Sequence, residues 1–137
     1  MPIVIDASLP AKWVVRDEAS DGANAVLKTV SRQDAVVPAI FPFEIENILV
    51  VAKRRRRIDD AALNEALRLL KKVDITVQPF GLSGFGRHID LAKRYALTAY
   101  DAAYVTLASN RKLMLFTADQ RMEAAAQDLA VSVVLVN

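Results

Sequence analysis

The chain is predicted to fold as an α/β domain of three layers, α/β/α, around a five-stranded parallel sheet. Two observations carry the prediction. Short apolar, β-branched runs alternate along the chain with helix-length segments, singly or in pairs, and strands separated by helices pack into a parallel sheet covered on both faces. The first of these runs, Ile3-Val4-Ile5, is apolar throughout, as a buried strand is, and it ends on a carboxylate, Asp6.

Each element follows in order. After Asp6, Ser8 and Pro10 mark the opening of a short helix that continues to about Val15 and carries Trp13. A second helix spans Ala19 to Val30, with Ala23, Val26, Leu27 and Val30 on one face. Ala35-Val36-Val37-Pro38 is a strand closed by proline. Ile40 to about Arg55 is a strongly apolar helix with Pro42 in its first turn, where proline is tolerated. Asp59 caps a helix bearing Leu63, Leu67 and Leu70, and Ile75-Thr76-Val77 is the third strand. Leu82 to Tyr95 and Thr98 to about Asn110 are helices, and Leu113 to Phe116 is the fourth strand. Thr117 to Leu129 is the last helix and Val131 to Val136 the fifth strand.

The 137 residues suffice for one domain with a real core, and nothing in them reads as a linker, so residues 1–137 form a single unit. Apolar runs are too short and too often interrupted by charge to span a membrane, and no secretory leader is evident. The chain has no cysteine, which excludes thiolate chemistry and fits a cytoplasmic setting, and its single histidine, His88, excludes a zinc site of the usual Cys/His type. The formal charge of +2 does not by itself call for a nucleic-acid partner.

The acids fall where chemistry is expected. In a parallel sheet with crossover helices, helix N-termini lie at the carboxyl edge of the strands, where ligands bind. Asp6 ends the first strand, Asp119 lies three residues beyond the fourth, and Glu44 lies in the second turn of the helix after the second. Asp101 opens a helix that is the second of a pair, so alternation alone does not place it. Glu44 and Glu46 point to nearly opposite sides of one helix, and Glu44 shares a stripe with Ile40, Asn47, Ile48 and Val51. Clustered carboxylates repel one another, and a hard divalent cation, Mg²⁺ or Mn²⁺, relieves the repulsion and lowers the pKa of a bound water. Each acid also has a plain structural reading. Thr98 to Asp101 and Thr117 to Gln120 both match capping boxes, Asp119 suits a first helical turn, Asp6 can precede a cap at Ser8, and Glu44 can be a solvated early-helix acid.

These residues resemble the PIN domain, specifically the small VapC-type toxins of bacterial and archaeal toxin–antitoxin pairs. The likeness runs through Ile3-Val4-Ile5-Asp6-Ala7-Ser8, then Phe43 to Leu49 with its Glu-apolar-x-Asn pattern. It continues through Leu91 to Tyr104 with Thr98-Ala99-Tyr100-Asp101, and ends at Phe116-Thr117-Ala118-Asp119. The motifs span the chain in order. The resemblance implies an acidic quartet of Asp6, Glu44, Asp101 and Asp119, catalytic and metal-holding, supported by Ser8, Asn47 and Thr117. It implies an endoribonuclease dependent on Mg²⁺ or Mn²⁺, usually a homodimer, neutralised by a cognate antitoxin protein, with the first strand inside the sheet and Asp101 at its carboxyl edge. A PIN-like module that binds RNA or protein without cutting is the alternative. A phosphoacceptor receiver domain also gathers acids at this edge, but it needs a lysine after the last strand, and residues 131–137 hold none.

Three features remain beside the acids. Lys53-Arg54-Arg55-Arg56-Arg57 ends the helix that begins near Glu44, where cations complement the helix dipole or meet RNA or antitoxin. Trp13, Phe41, Phe43 and Phe80 are expected to pack mainly in the core, with a partner groove as the other use. Arg87 and His88 either touch RNA or lie exposed, and His88 is given no catalytic role.

Overall fold

The computed structural model of the chain describes residues 1–15 and 21–137. Its strands are β1 (Ile3–Ile5), β2 (Ala35–Pro38), β3 (Ile75–Gln78), β4 (Leu115–Thr117) and β5 (Val133–Leu135). The helices are α1 (Ser8–Val14), α2 (Asp21–Gln33), α3 (Phe41–Arg54), α4 (Asp60–Lys72), α5 (Ile89–Tyr95), α6 (Ala99–Arg111) and α7 (Gln120–Asp128). The start expected for the second helix at Ala19 lies outside the described residues.

The strands form one parallel sheet in the order β3-β2-β1-β4-β5. β1 is central and its three residues are buried, which explains a run with no polar alternation. β3 is an edge strand, and it keeps Thr76, Val77 and Gln78 exposed. The helices α1 to α4 pack among themselves, while α6 lies against β1, β2 and β4 with α5 and α7 beside it. Right-handed crossovers require this division. The chain moves outward from β1 to β3 over one face and returns to β4 and β5 over the other.

The core runs through β1, β2, Val26, Leu49, Tyr104 and Met122. α6 is buried on most of its circumference, with Ala102, Ala103 and Ala108 letting it approach the sheet closely. Trp13 is half-buried, and its indole N–H donates to the Ala23 carbonyl at 2.7 Å, tying α1 to α2. Phe41 joins the core, but Phe43 and Phe80 stand exposed, against the core role expected of most of these rings.

Three boundaries differ from expectation. The segment from Leu82 is a 3-10 turn over Leu82–Gly84, and α5 starts only at Ile89. Gly86, at φ +91°, breaks the helix with a backbone conformation that other residues rarely adopt. α3 starts at Phe41, so Glu44 falls in the first turn instead of the second. Thr117 is the last residue of β4, paired with Leu135 of β5, and not the first of the following helix. Among the described residues, no helix is long and apolar enough to cross a membrane.

Candidate active site

The sheet order places a topological switch point between β1 and β4, since β1 leads to helices on one face and β4 to a helix on the other. Ligands of open α/β sheets bind in the crevice at the carboxyl end of such a pair. A basin of about 620 Å³ opens there, lined by Asp6, Glu44, Asp101 and Asp119 together with Ser8, Tyr104 and Arg121. Asp6 arrives from β1, Glu44 from α3, Asp101 from α6 and Asp119 from the turn after β4. Four acids far apart in the chain thus meet at one edge.

Asp6 is buried, 4% exposed, and every approach to its carboxylate is built. The Ser8 amide donates to Oδ1 at 2.9 Å, and the Ser8 hydroxyl donates to the same oxygen. The Thr117 hydroxyl, fully buried, donates to Oδ2. Burial raises the Asp6 pKa above the ordinary carboxylate value, the Ser8 and Thr117 hydrogen bonds offset part of this, and the Asp101 charge adds to the rise.

Glu44 is half-buried and accepts a hydrogen bond from the Tyr104 hydroxyl at 2.6 Å. Its pKa is also raised, first by burial and then by Asp101 and Asp6, against the lowering effect of Tyr104. Burial and the bond to Glu44 hold the Tyr104 phenol far above its usual value, so it stays a donor. Glu46 and Asn47 are both exposed and line no part of the basin. The helix stripe that singled out Glu44 over Glu46 therefore agrees with the basin lining, whereas Asn47 on the same stripe is exposed and lies outside it.

Asp101 sits in the first turn of α6, where its amide donates to the Thr98 hydroxyl at 3.0 Å. Capping and site readings hold together, because Thr98 engages both the amide and the carboxylate of Asp101 while Asp101 still lines the basin. Burial raises the Asp101 pKa, Thr98 lowers it, and Asp119 raises it further. Asp119 is itself the N-cap of α7, its Oδ1 accepting from the amides of Arg121 at 2.7 Å and Met122 at 3.2 Å. The cap expected at Thr117 is thus displaced by two residues. Thr117 instead accepts the Asp119 amide at 3.0 Å while donating to Asp6, joining the ends of β1 and β4.

Residues 3–128 match the family model of the PIN domain. The chain belongs to the PIN-domain family. It is 32% identical over 123 residues to Ribonuclease VapC3 of Mycobacterium tuberculosis, covering 90% of this chain and 86% of that protein, with the same values for strains CDC 1551 and H37Rv. Of solved structures, PAE2754 from Pyrobaculum aerophilum superposes with a TM-score of 0.69 at 22% identity, covering 97% of this chain and 83% of that one. FitAcB from Neisseria gonorrhoeae superposes with a TM-score of 0.65 at 17% identity, covering 96% and 95%. At these identities the two structures bear on the fold alone.

The acids of the PIN basin present hard oxygen donors, and burial and mutual repulsion raise the pKa of three of them. A divalent cation would relieve that repulsion. Among the described residues, however, no three Asp, Glu or His side chains are gathered closely enough to hold a metal ion by themselves. Asp6, Glu44 and Asp119 are each engaged by protein donors. The donor set therefore fits an ion that keeps water in its coordination shell, as Mg²⁺ does, better than one that demands a full protein cage. Tyr104 is the PIN-site residue that sequence reasoning passed over. Its signal was a hydroxyl three residues after Asp101 and so on the same face of the helix.

Proposed function

We propose that this PIN domain is an endoribonuclease that hydrolyses RNA phosphodiester bonds and serves as the toxin of a toxin–antitoxin pair. One observation carries the reading: carboxylates from four separate elements open into a single basin at the switch point of the sheet. The 32% identity to a protein named as a ribonuclease supports RNA as the substrate. Its partners on this reading are RNA, a cognate antitoxin and a second copy of the chain, in the cytoplasm. The cofactor would be Mg²⁺ or Mn²⁺, which Asp6, Asp101 and Asp119 would hold directly or through water, with Glu44 completing the set. When bound, such an ion stabilises charge on phosphoryl oxygens and supplies water of lowered pKa.

The chain's own residues do the rest. Ser8 and Thr117 fix the Asp6 carboxylate so that its remaining lone pairs face the basin. Tyr104 holds Glu44 by Oε1, which leaves Oε2 to orient a water and accept its proton. Arg121, on the basin rim, offers a cation to the phosphate.

The test is cleavage of a panel of cellular RNAs across a Mg²⁺ and Mn²⁺ titration, wild type against Asp101→Asn. Metal-dependent cleavage by the wild type, reduced at least 100-fold in the variant, is the expected result. RNA binding without cleavage at any metal concentration would instead make the chain a binding module.

A further inference from the structure

We propose that Arg121 is a positioning residue that grips the phosphate next to the one being cut, and so sets the register of the RNA strand over the acidic basin. The inference rests on the ribonuclease reading above and deepens it. One basin takes two consecutive phosphates, the first at the carboxylates and the second at Arg121. Arg121 lines the same basin as Asp6, Glu44, Asp101 and Asp119, and it does so from the first turn of α7.

No structural need accounts for a cation there. A helix N-terminus carries partial positive charge, so an arginine in the first turn is mildly unfavourable. The residue is exposed and makes no ion pair among the described residues, although four carboxylates share its basin. Asp119, two residues before it, is turned back to cap α7 and accepts the Arg121 and Met122 amides on Oδ1. The one guanidinium hydrogen bond runs from Nη1 to the carbonyl of Ala96, the left-handed residue that closes α5. That bond is exposed and 3.4 Å long, at the weak end of the range, so little is lost in exchanging it. The remaining N–H donors of the fork are unengaged. A guanidinium fork with free donors in the wall of a basin suits a phosphate, which accepts two of its N–H bonds at once.

Placement selects which phosphate. The phosphate being cut sits against the carboxylates, and Arg121 stands beyond ion-pair distance of all four. A ligand that meets both is longer than one phosphate. A polynucleotide strand supplies the second at the next nucleotide, and a mononucleotide does not.

The experiment uses the full chain in Mg²⁺ with the shortest RNA that wild type cuts from the panel above. Arg121→Gln should raise KM about tenfold and lower kcat less than threefold, with Arg121→Lys recovering part of the loss. The slope of log(1/KM) against log salt should become shallower by about 0.7 in Arg121→Gln, the value for one phosphate on a single strand. The same RNA is then made with one uncharged methylphosphonate linkage on either side of the cut. At one of these positions wild type should lose about tenfold in KM, and Arg121→Gln should lose nothing further. Melting should stay level or rise by about 1–3 °C in Arg121→Gln, because the variant removes a cation from a helix N-terminus. A KM within twofold of wild type would overturn the assignment. So would a tenfold fall in kcat with KM unchanged, which would put Arg121 on the phosphate being cut. A melting temperature lowered by 3 °C or more, with no response to either neutral linkage, would make it a structural residue. If wild type cuts RNA and Arg121→Gln keeps its KM, only this inference fails; if wild type cuts no RNA, the ribonuclease reading fails and this one with it.

Discussion

Thr117 carries more of the site than its distance from any substrate suggests. Its hydroxyl is buried, donates to Asp6 and accepts from the Asp119 amide, so one oxygen sets two of the four acids. Thr117→Val keeps the shape but strands both partners, and should cost about 1–3 kcal/mol in chemical denaturation, with Thr117→Ser restoring most of it. Tyr104 has the same relation to Glu44. Tyr104→Phe should lower stability by about 1 kcal/mol and reduce cleavage about tenfold, mainly in kcat, since Glu44 stays present but loses its fixed orientation. Neither role can be read from a residue type. Threonine at a strand end and tyrosine in an apolar helix are ordinary, and only the partner across the basin gives them a function. Asp6, Glu44 and Asp119, by contrast, were legible from strand and helix boundaries, and only the family resemblance added Asp101 to them.

Helix ends were the least legible elements, for a physical reason. Five of them close with a left-handed residue that is not glycine, Asp34 after α2 and then Arg56, Ala96, Lys112 and Ala130, of which the last four share one further feature. In each of these four the next amide reaches back five residues, Arg57 to Ala52, Leu97 to Ala92, Leu113 to Ala108 and Val131 to Ala126. Glycine is the usual mark of this closure, and without it the sequence shows only that helicity stops somewhere nearby. The apolar Leu113 and Val131 are buried after the turn, so packing holds a conformation that the backbone disfavours. Ala130→Gly should relieve that strain and raise stability by about 0.5–1 kcal/mol, measured by denaturant midpoint. The basic run at the end of α3 behaves as a solvated helix terminus. Lys53 pairs with exposed Asp60 at 3.1 Å, and Glu44 lies about 14 Å away along the axis.

At the scale of the whole molecule, the fold holds Asp6, Glu44 and Asp101 above their ordinary pKa values, each first through burial. Between the ordinary and the raised pKa, the folded chain binds more protons than the unfolded one, so stability falls as pH rises through that window and levels off above it. Asp6→Asn removes the most buried of these charges. In chelator, its melting temperature should exceed that of the wild type by several degrees at pH 7, with the gap closing as pH drops toward 4. Added Mg²⁺ should raise the wild-type melting temperature at pH 7, by an amount that grows with concentration, and should raise that of Asp6→Asn far less. Cleavage should move oppositely, reduced at least 100-fold in Asp6→Asn. Such a variant would be more stable and less active, as expected where like charges are gathered in a partly buried basin.

The sequence by itself determined the sheet and its parallel sense, because runs buried on both faces must be apolar throughout and strands separated by helices can pair only through crossovers. It also pointed to the edge that holds Asp6, Glu44 and Asp119, since each follows a strand or lies early in the helix after one, whereas Asp101 was placed there only by the family resemblance. Tertiary structure alone decided what surrounds them. The Thr117 and Tyr104 hydroxyls, the exposure of Asn47, and the exposed Phe43 and Phe80 depend on contacts between segments as many as 111 residues apart. Periodicity reports which side of an element faces inward. It carries no information about which residue of another element waits there.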